Sequence, residues 1–174
     1  MRQCTRDLTR LSSRYELVPN QRYAQGCSTI NAVKLISVGV PVSNVTAIQC
    51  PLARSFAQWA QGPMQAAARD ALGTRVVRIE TMGAYSCRSI IGGSGTGISE
   101  HASANALDVS AFVLTDGRRI SVLTGWNGSE DERDFLRAIR KSACARFQTV
   151  LSPDYNAAHY NHLHLDMGRG PYCR

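Results

Sequence analysis

The chain has 174 residues, of which 44% are hydrophobic and 19% are charged. This length indicates one domain, spanning residues 1–174, that is large enough to bury a core. The composition is that of a globular protein. No apolar run approaches the roughly 18 residues that a membrane helix requires, so we expect no integral membrane segment.

The net charge is +7 and the isoelectric point is near 9.4. The basic residues are scattered, and aromatic residues do not interleave with them as a platform for single-stranded nucleic acid would require. We therefore expect no nucleic-acid partner. A cell-wall polymer that carries carboxylates fits the positive charge better, and a solvated basic surface without a specific partner is the alternative.

Six cysteines are dispersed along the chain, and no Cys-x-x-Cys pair is present. An even, dispersed set predicts disulfides and therefore a periplasmic or secreted protein. The first residues lack an apolar signal core, so this prediction implies a signal peptide that has been removed. Six buried free thiols in a cytosolic protein are the alternative. Six cysteines allow fifteen pairings, which the sequence does not resolve.

The first quarter of the chain predicts a short helix over 5–14, a loop over 19–26 and a strand over 32–40. A disulfide between Cys4 and Cys27 could close the loop. The next predicted helix begins at Cys50, is kinked or restarted at Gly62-Pro63 and ends at Gly73. Its apolar face consists of Leu52, Phe56 and Trp59. A strand over 76–80 follows.

The glycine-rich segment 92–97 is not a phosphate-binding loop, because no Lys-Ser/Thr and no dinucleotide-binding helix follow it. We expect a flexible loop at the rim of a cleft. Further along, 115–118 predicts a hairpin turn and 119–122 its return strand. Ser129 and Glu132 form a capping box for a helix, and a loop over 153–156 leads to the last strand. The predicted inward side chains of that helix are Phe135, Leu136, Ile139 and Ala143.

The four histidines fall in two compact segments, 99–109 and 159–166. Imidazole and carboxylate are typical zinc ligands, and a catalytic zinc site keeps three protein ligands and one open position. In 162–166, His162, His164 and Asp166 alternate with leucines, so a strand would place them on one face. A strand over 105–113 would carry Asp108 towards them. The pattern predicts a zinc hydrolase site. Strand geometry alone does not decide which of His162 and His164 binds the metal.

These residues resemble a known superfamily. Ser99, His101, Ala106 and Asp108, followed by His162 and His164, are similar to the Ser-x-His-x-x-Gly-x-Ala-x-Asp and His-x-His motifs of the zinc D-alanyl-D-alanine peptidases. The usual Gly is Ala104 here. The chain is closer still to a branch of that superfamily, the bacterial extensin-like C-terminal domain. The blocks that carry this second resemblance are 83–88 (GAYSCR), 99–102 (SEHA), 153–159 (PDYNAAH) and 172–174 (YCR).

The resemblance implies an α+β fold shared with the hedgehog signalling domain, in which helices pack on a central antiparallel sheet that carries a zinc site. It also implies roles for individual residues. His101, Asp108 and His164 would bind Zn²⁺, and His162 would act as general base and then as acid to the leaving amine. Arg88 occupies the place of an arginine that clamps the carboxylate or carbonyl of the substrate, and a surface arginine that flanks a disulfide is the alternative.

Two further residues have open roles. Asp166 could orient a ligand imidazole from the second coordination shell or could be structural, and His159 could bind substrate, support the site or lie on a surface loop. The favoured function is hydrolysis of a peptide bond in the stem peptide or cross-bridge of peptidoglycan, by an endopeptidase or a carboxypeptidase, at a D,D or an L,D bond. The alternatives are a zinc amidase or peptidase that acts on another small peptide, and a non-catalytic zinc-containing module that binds cell wall or protein. The sequence leaves the oligomeric state open.

Overall fold

A computed structural model of the protein describes residues 1–88 and 97–174. Within these two ranges the chain forms helices and two β-sheets, so the predicted α+β class is confirmed. The helices are α1 (Arg2–Arg10), α2 (Cys50–Trp59), α3 (Gln65–Leu72), α4 (Val122–Gly125) and α5 (Glu130–Cys144). The strands are β1 (Ser13–Leu17), β2 (Ala32–Val38), β3 (Ile48–Gln49), β4 (Val76–Gly83), β5 (Ala106–Leu114), β6 (Arg119–Ser121), β7 (Thr149–Leu151), β8 (Leu163–Asp166) and β9 (Tyr172–Cys173).

The larger sheet has six strands in the order β4-β5-β8-β7-β9, with β6 also paired to β5. Its strands pair antiparallel except for β7 and β9, which run parallel. The smaller sheet has the order β1-β2-β3 and is antiparallel. The predicted antiparallel sheet is therefore present, with one parallel pair at its edge.

The core joins the helices to the larger sheet. Phe112 of β5 packs edge-on against Phe135 of α5, with ring centroids 5.2 Å apart. Trp59 of α2 is fully buried, and its indole N–H donates to Ser142 Oγ at 3.0 Å. Aromatic side chains are thus among the largest fully buried ones, and the buried Trp keeps a hydrogen-bond partner.

The long helical segment of the first half follows the prediction closely. Pro63 lies inside a π-helical turn, Ala60–Met64, which separates α2 from α3. A proline ring removes a backbone donor and clashes with the preceding turn, which accounts for the interruption. Gly73 then ends α3 with a left-handed conformation, φ 65°.

The start of α5 confirms the predicted capping box. The Ser129 backbone N–H donates to Glu132 Oε2 at 3.1 Å, and the Ser129 side chain accepts from the backbone of Glu132. The predicted inward side chains are all buried, namely Phe135, Leu136, Ile139 and Ala143.

Several predicted boundaries were wrong, and three of them have a clear local cause. The helix predicted over 5–14 is α1, which ends at Arg10, because Ser12 takes a positive φ of 48° and turns the chain into β1. The strand predicted over 32–40 ends at Val38, before Gly39 with φ 82°. The return strand predicted over 119–122 ends at Ser121, whose side chain caps α4.

All six cysteines lie in the described ranges and form three disulfides. The pairs are Cys4–Cys50, Cys27–Cys87 and Cys144–Cys173, with Cα–Cα distances of 5.9, 5.6 and 5.7 Å. The predicted Cys4–Cys27 pair is wrong, because α1 packs beside α2 and brings Cys4 to the first residue of that helix. Three disulfides fit an extracellular or periplasmic protein. Among the described residues, no helix has both the length and the apolar character to cross a membrane.

Candidate metal centre

The centre is built where the middle strands of the larger sheet meet. Asp108 of β5 is the direct antiparallel partner of His164 of β8, so the register places the two side chains together. His101 comes from the 3₁₀ turn Glu100–Ser103, just before β5. The side chain of Ser99 caps that turn by accepting from the His101 backbone N–H at 3.3 Å.

The three side chains converge on one point. His101 Nε2 lies 3.2 Å from His164 Nδ1 and 3.2 Å from Asp108 Oδ2, and His164 Nδ1 lies 2.9 Å from Asp108 Oδ1. All three residues are buried. They form a group that could hold a metal ion.

The hydrogen bonds behind the rings show which ring nitrogens can act as ligands. The Nδ1–H of His101 donates to the Ala84 carbonyl at 2.9 Å, and the Nε2–H of His164 donates to Asp166 Oδ2 at 2.9 Å. These acceptors leave His101 Nε2 and His164 Nδ1 facing each other and Asp108. Two nitrogen lone pairs and a carboxylate at such short range repel unless a proton or a cation lies among them. Two imidazoles, each with a hydrogen bond behind its ring, and one carboxylate are a ligand set that fits zinc.

The electrostatics reflect this crowding of acceptors. Burial raises the pKa of Asp108, but hydrogen bonds with His101 and His164 outweigh it and hold that pKa well below its usual range. Burial lowers the pKa of His164, but hydrogen bonds with Asp108 and Asp166 outweigh it and raise the pKa to about 9. The group thus favours positive charge at its centre, which a proton or a metal ion supplies.

His162 and His159 lie at the edge of this group. His162 directly precedes β8, and its Nε2 is 3.6 Å from Asp108 Oδ1. The ring of His159, from the 3₁₀ turn Ala157–His159, has its centroid 5.1 Å from the His162 ring. Burial is the main cause that lowers the pKa of both imidazoles, to about 4 for His159. Both side chains are therefore neutral bases near neutral pH.

Arg88 approaches the same carboxylate from the other side. Its Nη2 is 4.0 Å from Asp108 Oδ2, and its side chain keeps 33% of its exposure. At this distance the guanidinium contributes to the potential of the site without a direct hydrogen bond. A planar guanidinium fork can pair with a carboxylate or a carbonyl.

The centre lies in an open cleft of about 830 Å³. The structure thus brings together every residue that the sequence analysis assigned to the site. The roles of Arg88 and His159 in substrate binding, and of His162 in catalysis, stay predictions. Of the predicted glycine-rich rim, 92–96 lies outside the described residues, while Gly97 lines the cleft.

Sequence reasoning missed several residues of the cleft. Its mouth carries exposed apolar and aromatic side chains and a second arginine, and Glu100, which directly precedes His101 in the chain, also lines the cleft. These residues are Met82, Ile98, Glu100, Tyr155, Tyr160 and Arg169. Tyr155 belongs to the block 153–159 that carried the family resemblance, which was the available signal. Glu100 likewise belongs to the block 99–102, whereas nothing in the sequence distinguished Met82, Ile98, Tyr160 and Arg169 from ordinary surface residues.

Ala104 replaces the glycine of the motif yet keeps a backbone conformation that favours glycine. Its φ is 58° and its ψ is 24°, in the left-handed region, where it ends the turn that carries His101. The substitution has therefore left the turn intact.

Comparison with known proteins agrees with the residue pattern. No curated protein and no solved structure matches the chain. The family described as "Extensin-like protein C-terminus" matches residues 2–174, which is almost the whole chain. The protein therefore belongs to the extensin-like protein C-terminus family.

Proposed function

We propose that the protein is a zinc-dependent peptidase that hydrolyses a peptide bond in the stem peptide or cross-bridge of peptidoglycan. One observation carries the proposal. A buried group of two imidazoles and one carboxylate lies in an open cleft, and a further imidazole, His162, lies 3.6 Å from that carboxylate. Three protein ligands with an open position are typical of catalytic zinc, whereas structural zinc is usually enclosed by four.

His101, Asp108 and His164 would hold the ion. When bound, Zn²⁺ supplies Lewis acidity, which polarises a scissile carbonyl and makes a water molecule a stronger acid. The residues of the chain do the rest. His162 accepts the proton from the attacking water at Nε2 and later delivers it to the nitrogen of the leaving amine. Its neutral state near pH 7 suits a proton acceptor.

Arg88 and the mouth of the cleft position the substrate. The guanidinium of Arg88 would pair with a carboxylate or carbonyl of the peptide beside the scissile bond. The exposed rings of Tyr155 and Tyr160 offer flat apolar surface to a peptide or sugar. The net charge of +7 favours approach to a polymer that carries carboxylates.

The proposed compartment agrees with this substrate. Peptidoglycan lies outside the cytoplasmic membrane, and three disulfides persist in the periplasm or the cell exterior. We place the protein there.

Digestion of purified peptidoglycan tests the proposal. The zinc-loaded protein should release peptides, or single residues, whose masses identify the bond cleaved and separate endopeptidase from carboxypeptidase action. A chelator should abolish the release, and added zinc should restore it. His162→Ala should lower the rate by about 100-fold or more while zinc content stays the same. His164→Ala should lose both zinc and activity, whereas Lys141→Ala, at an exposed site on α5, should change neither.

A zinc-loaded protein that leaves peptidoglycan intact in this assay contradicts the proposal. If that protein still binds the polymer and His162→Ala binds equally well, the chain is instead a non-catalytic binding module. If a small peptide unrelated to peptidoglycan is hydrolysed instead, the metal chemistry stands and the substrate is wrong.

A further inference from the structure

Two asparagines contact the two cleft histidines that lie outside the metal group. His162 Nδ1 is 2.8 Å from Asn161 Oδ1, and His159 Nδ1 is 2.7 Å from Asn156 Oδ1. An amide oxygen can only accept a hydrogen bond. Each imidazole must therefore carry its proton on Nδ1 and donate it to the asparagine.

The consequence falls on the opposite nitrogen of each ring. In a neutral imidazole one nitrogen donates and the other accepts, so Nε2 of both His162 and His159 carries the accepting lone pair. For His162 this lone pair is on the atom that lies 3.6 Å from Asp108 Oδ1, beside the metal group. The gap between these two acceptors is too long for a direct hydrogen bond and leaves room for a donor to bridge them.

The same arrangement holds for all four histidines. One nitrogen of each ring meets a fixed acceptor, and the other nitrogen faces the cleft or the metal group. The four acceptors are the Ala84 carbonyl for His101, Asn156 for His159, Asn161 for His162 and Asp166 for His164. The two ligand imidazoles have a backbone carbonyl and a carboxylate, and the two outer imidazoles have neutral amides.

We propose that Asn161 and Asn156 are positioning residues, which fix His162 and His159 in the Nδ1–H tautomer so that both present Nε2 to the cleft as an acceptor. The tautomers follow from the hydrogen bonds alone, and their use in catalysis rests on the proposed function. A proton leaves the oxygen of the attacking water for His162 Nε2, and the same proton passes to the leaving nitrogen. The Nδ1–H bond to Asn161 stays intact throughout.

The proposal also gives His159 a ligand class. Because its Nε2 accepts, His159 binds an N–H group of the substrate, such as a peptide amide or an ammonium. It does not bind a carboxylate. Arg88 binds the carboxylate instead. His159 thus accepts hydrogen bonds from the peptide, and Arg88 donates hydrogen bonds to it.

The two asparagines differ in what else they do. Asn156 also caps a turn, because its Oδ1 accepts from the Ala158 backbone N–H at 3.0 Å. Among the described residues, the side chain of Asn161 bonds only to His162. Asn161→Ala is therefore the cleaner deletion, and Asn156→Asp, which keeps the acceptor and the cap, is its matched control.

Imidazole ¹⁵N NMR tests the tautomers without any need for activity. The measurement uses the ¹⁵N-labelled full chain at about pH 8, above the ordinary histidine pKa. We expect protonated Nδ1 and unprotonated Nε2 for both His159 and His162. Asn161→Ala should move His162 towards the Nε2–H tautomer and leave His159 unchanged, and Asn156→Asp should leave both unchanged. An Nε2–H tautomer for His162 in the wild-type protein overturns the proposal. An Nδ1–H tautomer of His162 that stays unchanged in Asn161→Ala overturns it as well.

Kinetics on peptidoglycan peptides test the catalytic consequence. Asn161→Ala should lower kcat by about 10- to 100-fold, the effect typical of supporting residues, with KM and zinc content unchanged. Asn161→Asp, which retains an acceptor, should restore most of kcat. A loss of zinc, or a rise in KM with kcat unchanged, indicates a merely structural role and contradicts the proposal. If the wild-type protein lacks peptidase activity, the proposed function fails while the NMR result still decides the tautomers.

Discussion

His164 and Asp166 lie two residues apart on β8, and the Nε2–H of His164 donates to Asp166 Oδ2 across 2.9 Å. The second oxygen of the same carboxylate accepts from the Gly168 backbone N–H, also at 2.9 Å. Asp166 is thereby fixed on both sides, and it aims the His164 ring so that Nδ1 faces Asp108. The strand period of two puts both side chains on one face, and the turn after β8 locks the arrangement.

Removal of the Asp166 carboxylate should weaken metal binding without removing a ligand. We expect Asp166→Ala to lower zinc affinity by about 10- to 100-fold, because the ligand imidazole loses the partner that sets its tautomer and orientation. Zinc titration against a competing chelator measures this. Asp116→Ala, at an exposed turn beside Arg118, is the control and should keep wild-type affinity. An unchanged affinity in Asp166→Ala would mean that the carboxylate is structural.

The metal-free protein should lose stability as pH rises through the neutral range. Hydrogen bonds with Asp108 and Asp166 outweigh burial and raise the pKa of His164 from 6.5 to about 9 in the folded protein. A raised pKa means that the folded state holds the proton more tightly than the unfolded chain does. The His164 proton therefore contributes fully to the free energy of unfolding below pH 6.5, and this contribution is lost as pH rises to about 9.

Urea unfolding at a series of pH values, with a chelator or with zinc, measures this loss. A zinc ion held by His101, Asp108 and His164 would take the place of the Nδ1 proton of His164, so the zinc-loaded protein should not show the loss over that pH interval. A metal-free protein whose free energy of unfolding stays constant between pH 6.5 and 9 contradicts the assignment of the proton to His164.

The sequence predicted which residues form the site, but it did not predict their exact geometry. The alternation of polar residues in 162–166 and the strand after His101 placed the right residue types near one another. The sequence could not decide between His162 and His164 as the partner of Asp108, because both lie on the same face. The antiparallel register of β5 and β8 decides it, since it sets His164 directly opposite Asp108. Register depends on tertiary pairing between residues that are distant in the chain, and Asp108 and His164 are 56 residues apart.

The disulfides show where local reasoning fails. Cys4 and Cys27 are adjacent in the cysteine order and flank a loop, which favoured their pairing. The pairing in the fold depends instead on α1 lying against α2 and on the 3₁₀ turn Ala24–Gly26 lying near Cys87. Fifteen pairings are open to six cysteines, and only the packed helices and turns select one.

Peptide mapping under non-reducing conditions should recover three linked pairs. These pairs are Cys4–Cys50, Cys27–Cys87 and Cys144–Cys173. Thiol titration of the denatured, non-reduced protein should find no free thiols. Removal of one native disulfide, for example by Cys27→Ala with Cys87→Ala, should cost about 2–5 kcal/mol, because the unfolded chain regains the freedom of a long loop. A Cys4–Cys27 peptide, or six free thiols, would contradict the fold or the proposed compartment.

Ala104 allows a stability prediction in which three effects nearly cancel. A left-handed φ costs a residue with a Cβ about 1–2 kcal/mol, which Ala104→Gly would recover. The same substitution would lower the free energy of unfolding by about 0.5–1 kcal/mol, because glycine gives the unfolded chain more freedom. The missing methyl group would lower it by about 0.8 kcal/mol more, since Ala104 is fully buried against Ala32 and Ala47.

We therefore expect Ala104→Gly to change the free energy of unfolding by less than about 1 kcal/mol, which explains why alanine is tolerated where the motif has glycine. Ala104→Val should destabilise the protein by about 1–3 kcal/mol, because a β-branched side chain resists a positive φ and because the position is fully buried against Ala32 and Ala47. Urea unfolding midpoints of the two variants measure the difference. Zinc affinity should fall in Ala104→Val and hold in Ala104→Gly, because the turn that Ala104 ends carries His101. A valine variant with wild-type stability and zinc affinity would show that the left-handed turn at this position is not required to place the ligand.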